Sequence, residues 1–174
     1  MFSLDVNEHT PQFTNGGSYT ALVAENATIG TLVSNVTATD LDIGSVYGLV
    51  TYAITSGNSE EIFTIRPTDG LVFVKRPLDR ETKDSYSLII EASDQDPVSP
   101  LSSTATLVIT ITDINDNAPS CDPSIYGASV KESVAKGTTI VQLSCSDVDL
   151  SPNVISSYAI TIGEKSRLCS SCFL

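Results

Sequence analysis

This sequence predicts an all-β fold, a Greek-key β-sandwich, on three observations. Short runs rich in β-branched and aromatic residues recur along its 174 residues. Turn-forming residues separate these runs, and no stretch sustains a helical period. The first predicted strand, Tyr19–Glu25, follows the break at Gly16-Gly17. Thr31–Thr39 comes next, and Val50–Thr55 is closed by Ser56-Gly57-Asn58. Thr68-Asp69-Gly70 turns the chain into Leu71–Val74. Ser85–Ala92 ends before Asp96-Pro97, and Thr104–Thr112 is the last of these runs. In the fifth run Tyr86, Leu88, Ile90 and Ala92 alternate with Ser85, Ser87, Ile89 and Glu91. In the sixth, Ala105, Leu107, Ile109 and Ile111 alternate with mostly Thr. A period of two with one apolar face is what a sheet packed on a second sheet requires. Some seven strands in about 100 residues make one sandwich. Tyr19, Phe63, Phe73 and Tyr86 are its expected aromatic core.

Composition narrows the function. Acidic residues outnumber basic ones 21 to 9, a formal charge of −12. That balance excludes nucleic-acid partners, which need a basic face. At 41% apolar and 17% charged, the chain is too hydrophobic for a disordered acidic tail. No apolar run approaches the roughly 18 residues of a membrane helix. Met1–Asp5 lacks basic and apolar regions, so no signal peptide is expected. His9 is the single histidine, which argues against a Ser-His-Asp or Cys-His machine and a His-rich zinc site. Cys169 and Cys172 form a lone Cys-x-x-Cys on a polar tail, poor ground for zinc or redox chemistry. Cys121 and Cys145 read equally well as a bridge or as two unrelated thiols.

The chain also repeats itself. Asp5-Val-Asn7-Glu8-His9-Thr-Pro11 returns as Asp113-Ile-Asn115-Asp116-Asn117-Ala-Pro119. Val23-Ala-Glu25-Asn with Gly30-Thr31 returns as Val130-Lys-Glu132-Ser with Gly137-Thr138. Asp40-Leu-Asp42 returns as Asp147-Val-Asp149, and Thr51-Tyr-Ala-Ile-Thr55 as Ser157-Tyr-Ala-Ile-Thr161. The offsets stay near 107 residues, the length of one sandwich. Of the 21 carboxylates, 13 fall on these blocks or on Asp79, Glu81 and Asp94. Alternating acids with Asn and backbone carbonyls suit a hard divalent cation, and calcium tolerates irregular geometry better than magnesium. No nucleophile or general base accompanies the acids, so they do not read as an enzyme site.

These blocks resemble the motifs of cadherins. Asp113-Ile-Asn115-Asp116-Asn117-Ala-Pro119 is similar to the cadherin linker, and Glu25 stands where the family has a strand-end glutamate. Asp79-Arg80-Glu81 resembles the Asp-Arg-Glu motif, Asp40 and Asp42 the Asp-x-Asp motif, and Asp94 the acid of Ala-x-Asp. The variants Asn7-Glu8-His9 make the likeness strongest to long non-classical cadherins of the Fat, Dachsous and protocadherin kind. The resemblance implies an immunoglobulin-like cadherin repeat at residues 13–116, preceded by the end of another repeat and a linker at 1–12. Residues 117–174 would be a truncated second repeat of three strand-like runs with an unrelated tail, less stable than the first.

The resemblance implies Ca2+ as the cofactor, held where repeats meet. Two ions would take Glu25, Asp79, Glu81, Asp113, Asp116, the Ile114 carbonyl and Asp149. A third would take Asn115, Asp147, Asp149 and the carbonyls of Asn117 and Asn153. Upstream, Asn7, the His9 carbonyl, Asp40, Asp42, Asp94 and the Tyr47 carbonyl would hold one ion, and Asp5 and Glu8 would serve two more. Glu8 replaces the family's usual Asp and His9 its Asn; the His9 ring itself is expected to be exposed. The implied function is calcium-dependent cell–cell adhesion by internal ectodomain repeats on the extracellular side of the plasma membrane. The implied partners are adjacent repeats and another cadherin, homophilic or heterophilic, with no small-molecule substrate and a membrane link only through a segment outside these residues. The chain has no Trp, so it cannot exchange the tryptophan-bearing strand of adhesive-tip cadherins. Asn26-Ala-Thr28 and Asn35-Val-Thr37 are glycosylation sequons. The alternatives are a truncated soluble product without its own adhesive function, and a metal-dependent hydrolase or transferase built on Asp-x-Asp.

Overall fold

The alternation of Ser, Thr and large apolar residues after Ser85 decides the architecture. A computed structural model describes residues 6–42, 47–150, 152–155 and 157–159. The chain divides into two compact units, Met1–Ile114 and Asn115–Leu174.

Unit 1 contains nine strands among its described residues: β1 (Gln12–Phe13), β2 (Ser18–Ala24), β3 (Leu32–Asn35), β4 (Ala38–Thr39), β5 (Thr51–Ser56), β6 (Phe63–Ile65), β7 (Leu71–Val74), β8 (Ser85–Ser93) and β9 (Ser102–Thr112). The larger sheet runs β2-β9-β8-β5 and the smaller β3-β7-β6, while β1 pairs with β4. β8 and β9 lie antiparallel from Ser85 opposite Thr110 to Ser93 opposite Ser102. This register puts Tyr86, Leu88, Ile90 and Ala92 on the same buried face as Ala105, Leu107, Ile109 and Ile111. β2 joins β9 in parallel, Ser18 opposite Thr106 through Ala24 opposite Thr112. The smaller sheet contributes Phe63, Val72 and Val74 to the core, and Phe63 meets Tyr86 edge-on at 5.0 Å between ring centres.

The expected run Thr31–Thr39 splits in two. Val36 donates its N–H to Gly70 O at 3.0 Å, and the chain then leaves β7 so that β4 can pair with β1. Two tyrosine hydroxyls hold this crossing. Tyr52 Oη accepts the Ala38 N–H at 2.8 Å, and Tyr19 Oη lies 3.0 Å from the carbonyls of both Thr14 and Thr37. Strand β2 stops at Ala24, and Glu25 begins a turn. Phe73 departs from the expected core: alternation in β7 buries Val72 and Val74 and turns Phe73 outward, half-buried. There the Arg66 guanidinium covers its ring at 5.2 Å.

Gly70 closes the β6–β7 hairpin at φ +70°, where a Cβ would collide with the Val36 carbonyl oxygen. Gly30 has a similar φ, +91°, but open space around it. Replacing Gly70 with Ala is expected to cost more than about 2 kcal/mol, because steric overlap adds to the left-handed conformation, and Gly30→Ala only about 1 kcal/mol. Urea unfolding of the two variants checks the difference.

Unit 2 is organised differently. Among its described residues the strands are β10 (Ser120–Cys121) and β11 (Cys145–Ser146), paired with each other. Three strand-like runs were expected; a strand needs a hydrogen-bonding neighbour, and β10 and β11 supply one only to each other. A disulfide joins Cys121 to Cys145 across 24 residues of sequence, which resolves the two thiols as a bridge. Next to it, Tyr126 Oη accepts the Ser144 N–H at 2.7 Å. Ile125, Val130, Val134, Ile140 and Val148 are exposed, so cross-links and polar contacts carry more of the order here than a core does. Cys169, Cys172 and Thr161 lie outside the described residues.

The closed loop is worth about 3 kcal/mol in restricted unfolded-chain entropy. Limited proteolysis is therefore expected to cut unit 2 before unit 1, and a reductant to speed only the unit 2 cuts. Early cleavage between Thr51 and Thr112 would contradict this.

Candidate metal-binding site

Unit 1 gathers carboxylates at both ends of its sandwich. At one end stand β2's exit, β9's exit and the turn after Leu78. Glu25 is buried there. Its Oε2 accepts the Arg80 N–H at 2.8 Å and its Oε1 the Ile114 N–H at 2.6 Å. One side chain thus ties together three segments distant in sequence. Asp79 folds the next turn by accepting the Thr82 hydroxyl at 2.8 Å and the Thr82 N–H at 3.1 Å. Those bonds, the hydroxyl's first, hold its carboxyl below the ordinary carboxylate range. Arg80 pairs with Glu81, and its Nε lies 2.5 Å from Asp113 Oδ1. The expected residues Glu25, Asp79, Glu81, Asp113 and Ile114 therefore belong to one end of unit 1.

At the opposite end, Asp40 and Asp42 meet Asn7, Glu8 and His9. Asp40 Oδ1 accepts the Asp42 N–H at 2.9 Å. Asp42 Oδ2 accepts the N–H groups of Glu8 at 3.2 Å and His9 at 3.0 Å. Asp94 is buried and accepts N–H bonds from Asp96 and Leu101, each at 3.0 Å. Asn7 Nδ2 reaches Asp96 Oδ2 at 3.3 Å. Asp96 was missed from the sequence, although it repeats the Asp-x-Asp spacing with Asp94; its place before Pro97 read only as a turn. The N–H groups of Val98 and Ser99 and the Asn7 amide hold Asp96 below the usual carboxylate range, Val98 most strongly. Asp5 lies outside the described residues.

The His9 ring is partly exposed, yet it is also held in place. Its Nδ1 lies 2.6 Å from Asp42 Oδ1, with 42% of the His9 side chain exposed and 2% of the Asp42 side chain. The ring is held because Nδ1 can donate to a carboxylate as an asparagine amide does. The hydrogen bond to Asp42 raises the imidazole pKa. Burial pushes Asp42 upward, but hydrogen bonds from the His9 ring and the backbone outweigh it and leave its pKa lowered.

Unit 2 builds the same knot from its own residues. Asp147 Oδ1 accepts the Asp149 N–H at 3.1 Å, as Asp40 does for Asp42. Asp149 is buried and accepts the Asn117 N–H at 3.4 Å and the Asn117 amide at 2.9 Å, as Asp42 accepts the His9 N–H and ring. The Asn117 amide also lies 2.8 Å from Asp116 Oδ1. Asn115 and Asp116 are exposed, and Asn153 closes a turn with its N–H 2.6 Å from Leu150 O. The sequence repeat is therefore a repeat of geometry, with His9 in the place of Asn117.

The donor sets fit a hard cation. Their groups are carboxylates, amide oxygens and carbonyls, and sulfur is absent from them. Asn7 Oδ1 and Asp40 Oδ2 are buried without a hydrogen-bond partner, and an oxygen so placed costs about 1–3 kcal/mol unless something pairs with it.

A family model, the cadherin domain, matches residues 19–112. The chain belongs to the cadherin family. Human Cadherin-8 is 41% identical over 169 residues, covering 94% of this chain and 21% of that protein. The chain thus spans about a fifth of that relative's length. Among solved structures, mouse Cadherin-23 EC22-24 gives a TM-score of 0.77 at 32% identity, covering 87% of this chain and 47% of that one. The Protocadherin gammaB7 EC3-6 cis-dimer gives 0.78 at 29% identity, covering 86% and 37%. Likeness to Cadherin-23 and to a protocadherin agrees with the non-classical character of the linker variants. Membership of this family also sets aside the hydrolase or transferase that an isolated Asp-x-Asp would admit.

Because Glu25 satisfies two backbone donors at once, Glu25→Gln is expected to leave one N–H facing an amide –NH2. The cost is about 1–3 kcal/mol in the presence of chelator. Chemical denaturation without metal measures it, and an unchanged midpoint would show that the carboxylate does not hold these segments.

Proposed function

We propose that this cadherin segment binds calcium at the ends of its repeats and works as a stiffened internal spacer in an extracellular adhesion protein. The observation that carries the proposal is the knot built twice, at Asp40 and Asp42 with His9 and at Asp147 and Asp149 with Asn117. Unit 1 then represents one whole repeat, and unit 2 the beginning of a second.

Glu25, Asp79, Glu81 and Asp113 with the Ile114 carbonyl would supply oxygen ligands from unit 1. Asn115, Asp116, Asp147, Asp149 and the carbonyls of Asn117 and Asn153 would supply them from unit 2. Asn7, Asp40, Asp42, Asp94 and the His9 carbonyl would serve the upstream end. Calcium would supply positive charge and a demand for six to eight oxygens. Without it, carboxylates about 5 Å apart repel by about 3 kcal/mol per pair at an effective dielectric of 20. Under this proposal residues 113–117 would be ligands as well as the connection, so calcium would hold the backbone there. Partners under this proposal are neighbouring repeats and another cadherin.

Millimolar calcium is expected to raise the melting temperature over that in chelator, since a ligand at 100 times its Kd adds about 2.7 kcal/mol per site. Asp42→Asn and Asp113→Asn should each remove part of that rise, and magnesium should not replace calcium. Calcium should also suppress cleavage at Asp113 and Asp116 by an aspartate-directed protease. A melting curve indifferent to calcium would end the proposal.

A further inference from the structure

The described lysines and arginines of unit 1 divide sharply by what they face. Arg66 pairs with Asp69, Lys75 and Arg76 pair with Glu61, and Lys83 lies over the Tyr86 ring. Lys83 stands on the Asp79 turn, its N–H 2.9 Å from the Asp79 carbonyl, but its ammonium is turned onto the Tyr86 ring. Arg80 alone among them turns into an acidic set. Its backbone N–H is fixed by Glu25, and its guanidinium lies against Glu81 and Asp113 with 10% of the side chain exposed. Asp113 is 10% exposed and Glu81 20%. A guanidinium stays charged throughout the working pH range, and its planar N–H donors match carboxylate oxygens.

We propose that Arg80 is the resident counter-ion of Glu81 and Asp113, which calcium must displace, so that Arg80 sets the calcium concentration at which this end of unit 1 fills. The inference rests on the calcium reading above. It follows from competition for the same atoms: N–H donors aimed at a carboxylate oxygen occupy the direction from which a cation approaches. An oxygen bound to calcium at about 2.3–2.6 Å gives up or shares its guanidinium partner. Arg80 therefore stabilises the metal-free end, where the Glu81 carboxylate would otherwise face those of Glu25 and Asp113, and opposes the loaded one.

Opposite signs distinguish this role from a merely structural one. In the full 174-residue chain, Arg80→Gln is expected to lower the melting temperature in chelator by several degrees. It should also tighten calcium binding about tenfold by calorimetry, the equivalent of about 1.4 kcal/mol. Arg80→Lys keeps the charge without the fork, and its calcium affinity should stay within about threefold of wild type. If wild type shows no saturable calcium signal, the proposed function fails and takes this inference with it. If wild type binds calcium but Arg80→Gln binds it equally or more weakly, this inference alone is overturned. Should Arg80→Gln fail to fold, Arg80→Lys decides: an affinity more than threefold tighter than wild type would overturn the counter-ion role.

Discussion

Carboxylates that accept backbone N–H groups are the constraint on which this protein depends. Glu25 joins the exits of two strands to the Asp79 turn. Asp42 fixes the entering segment, Asp94 holds both sides of the loop between β8 and β9, and Asp149 anchors Asn117 in unit 2. Charge-assisted bonds of this kind are stronger than neutral ones, and buried loop amides need partners. The acids are therefore structural in their own right. Each carboxylate is oriented by the backbone it satisfies, so the clusters are preorganised.

The same economy explains how a chain of formal charge −12 folds with so few bases near its acids. Local donors, more than salt bridges, neutralise the cost of gathering carboxylates. Arg80 is the exception among the described lysines and arginines of unit 1, as the His9 ring is at the other end, and its position beside Asp113 marks where backbone donors alone do not suffice.

Much of this was legible in the sequence because alternation and repetition are local. The faces of β8 and β9 followed from period two, and the recurrence of Asp-x-Asp located both knots. Strands β1 and β6 were not legible, since two or three residues are too few to show a period. Nor was the parallel partnership of β2 with β9, because alternation says which face a residue takes and not which strand lies beside it. Phe73 obeyed the alternation of β7, and its size misled only when composition was weighed above register. The His9 ring and Asp96 escaped notice because their roles depend on partners more than 30 residues away.

The parallel ladder between β2 and β9 has a mechanical consequence. The chain enters unit 1 ahead of one strand and leaves it after the other, and the two run side by side in the same direction over seven paired positions. Tension applied to the two ends of the unit pulls these strands past each other lengthwise. The hydrogen bonds then share the load together instead of opening one after another like a zip, and a sandwich so built resists stretching where a terminal hairpin would peel.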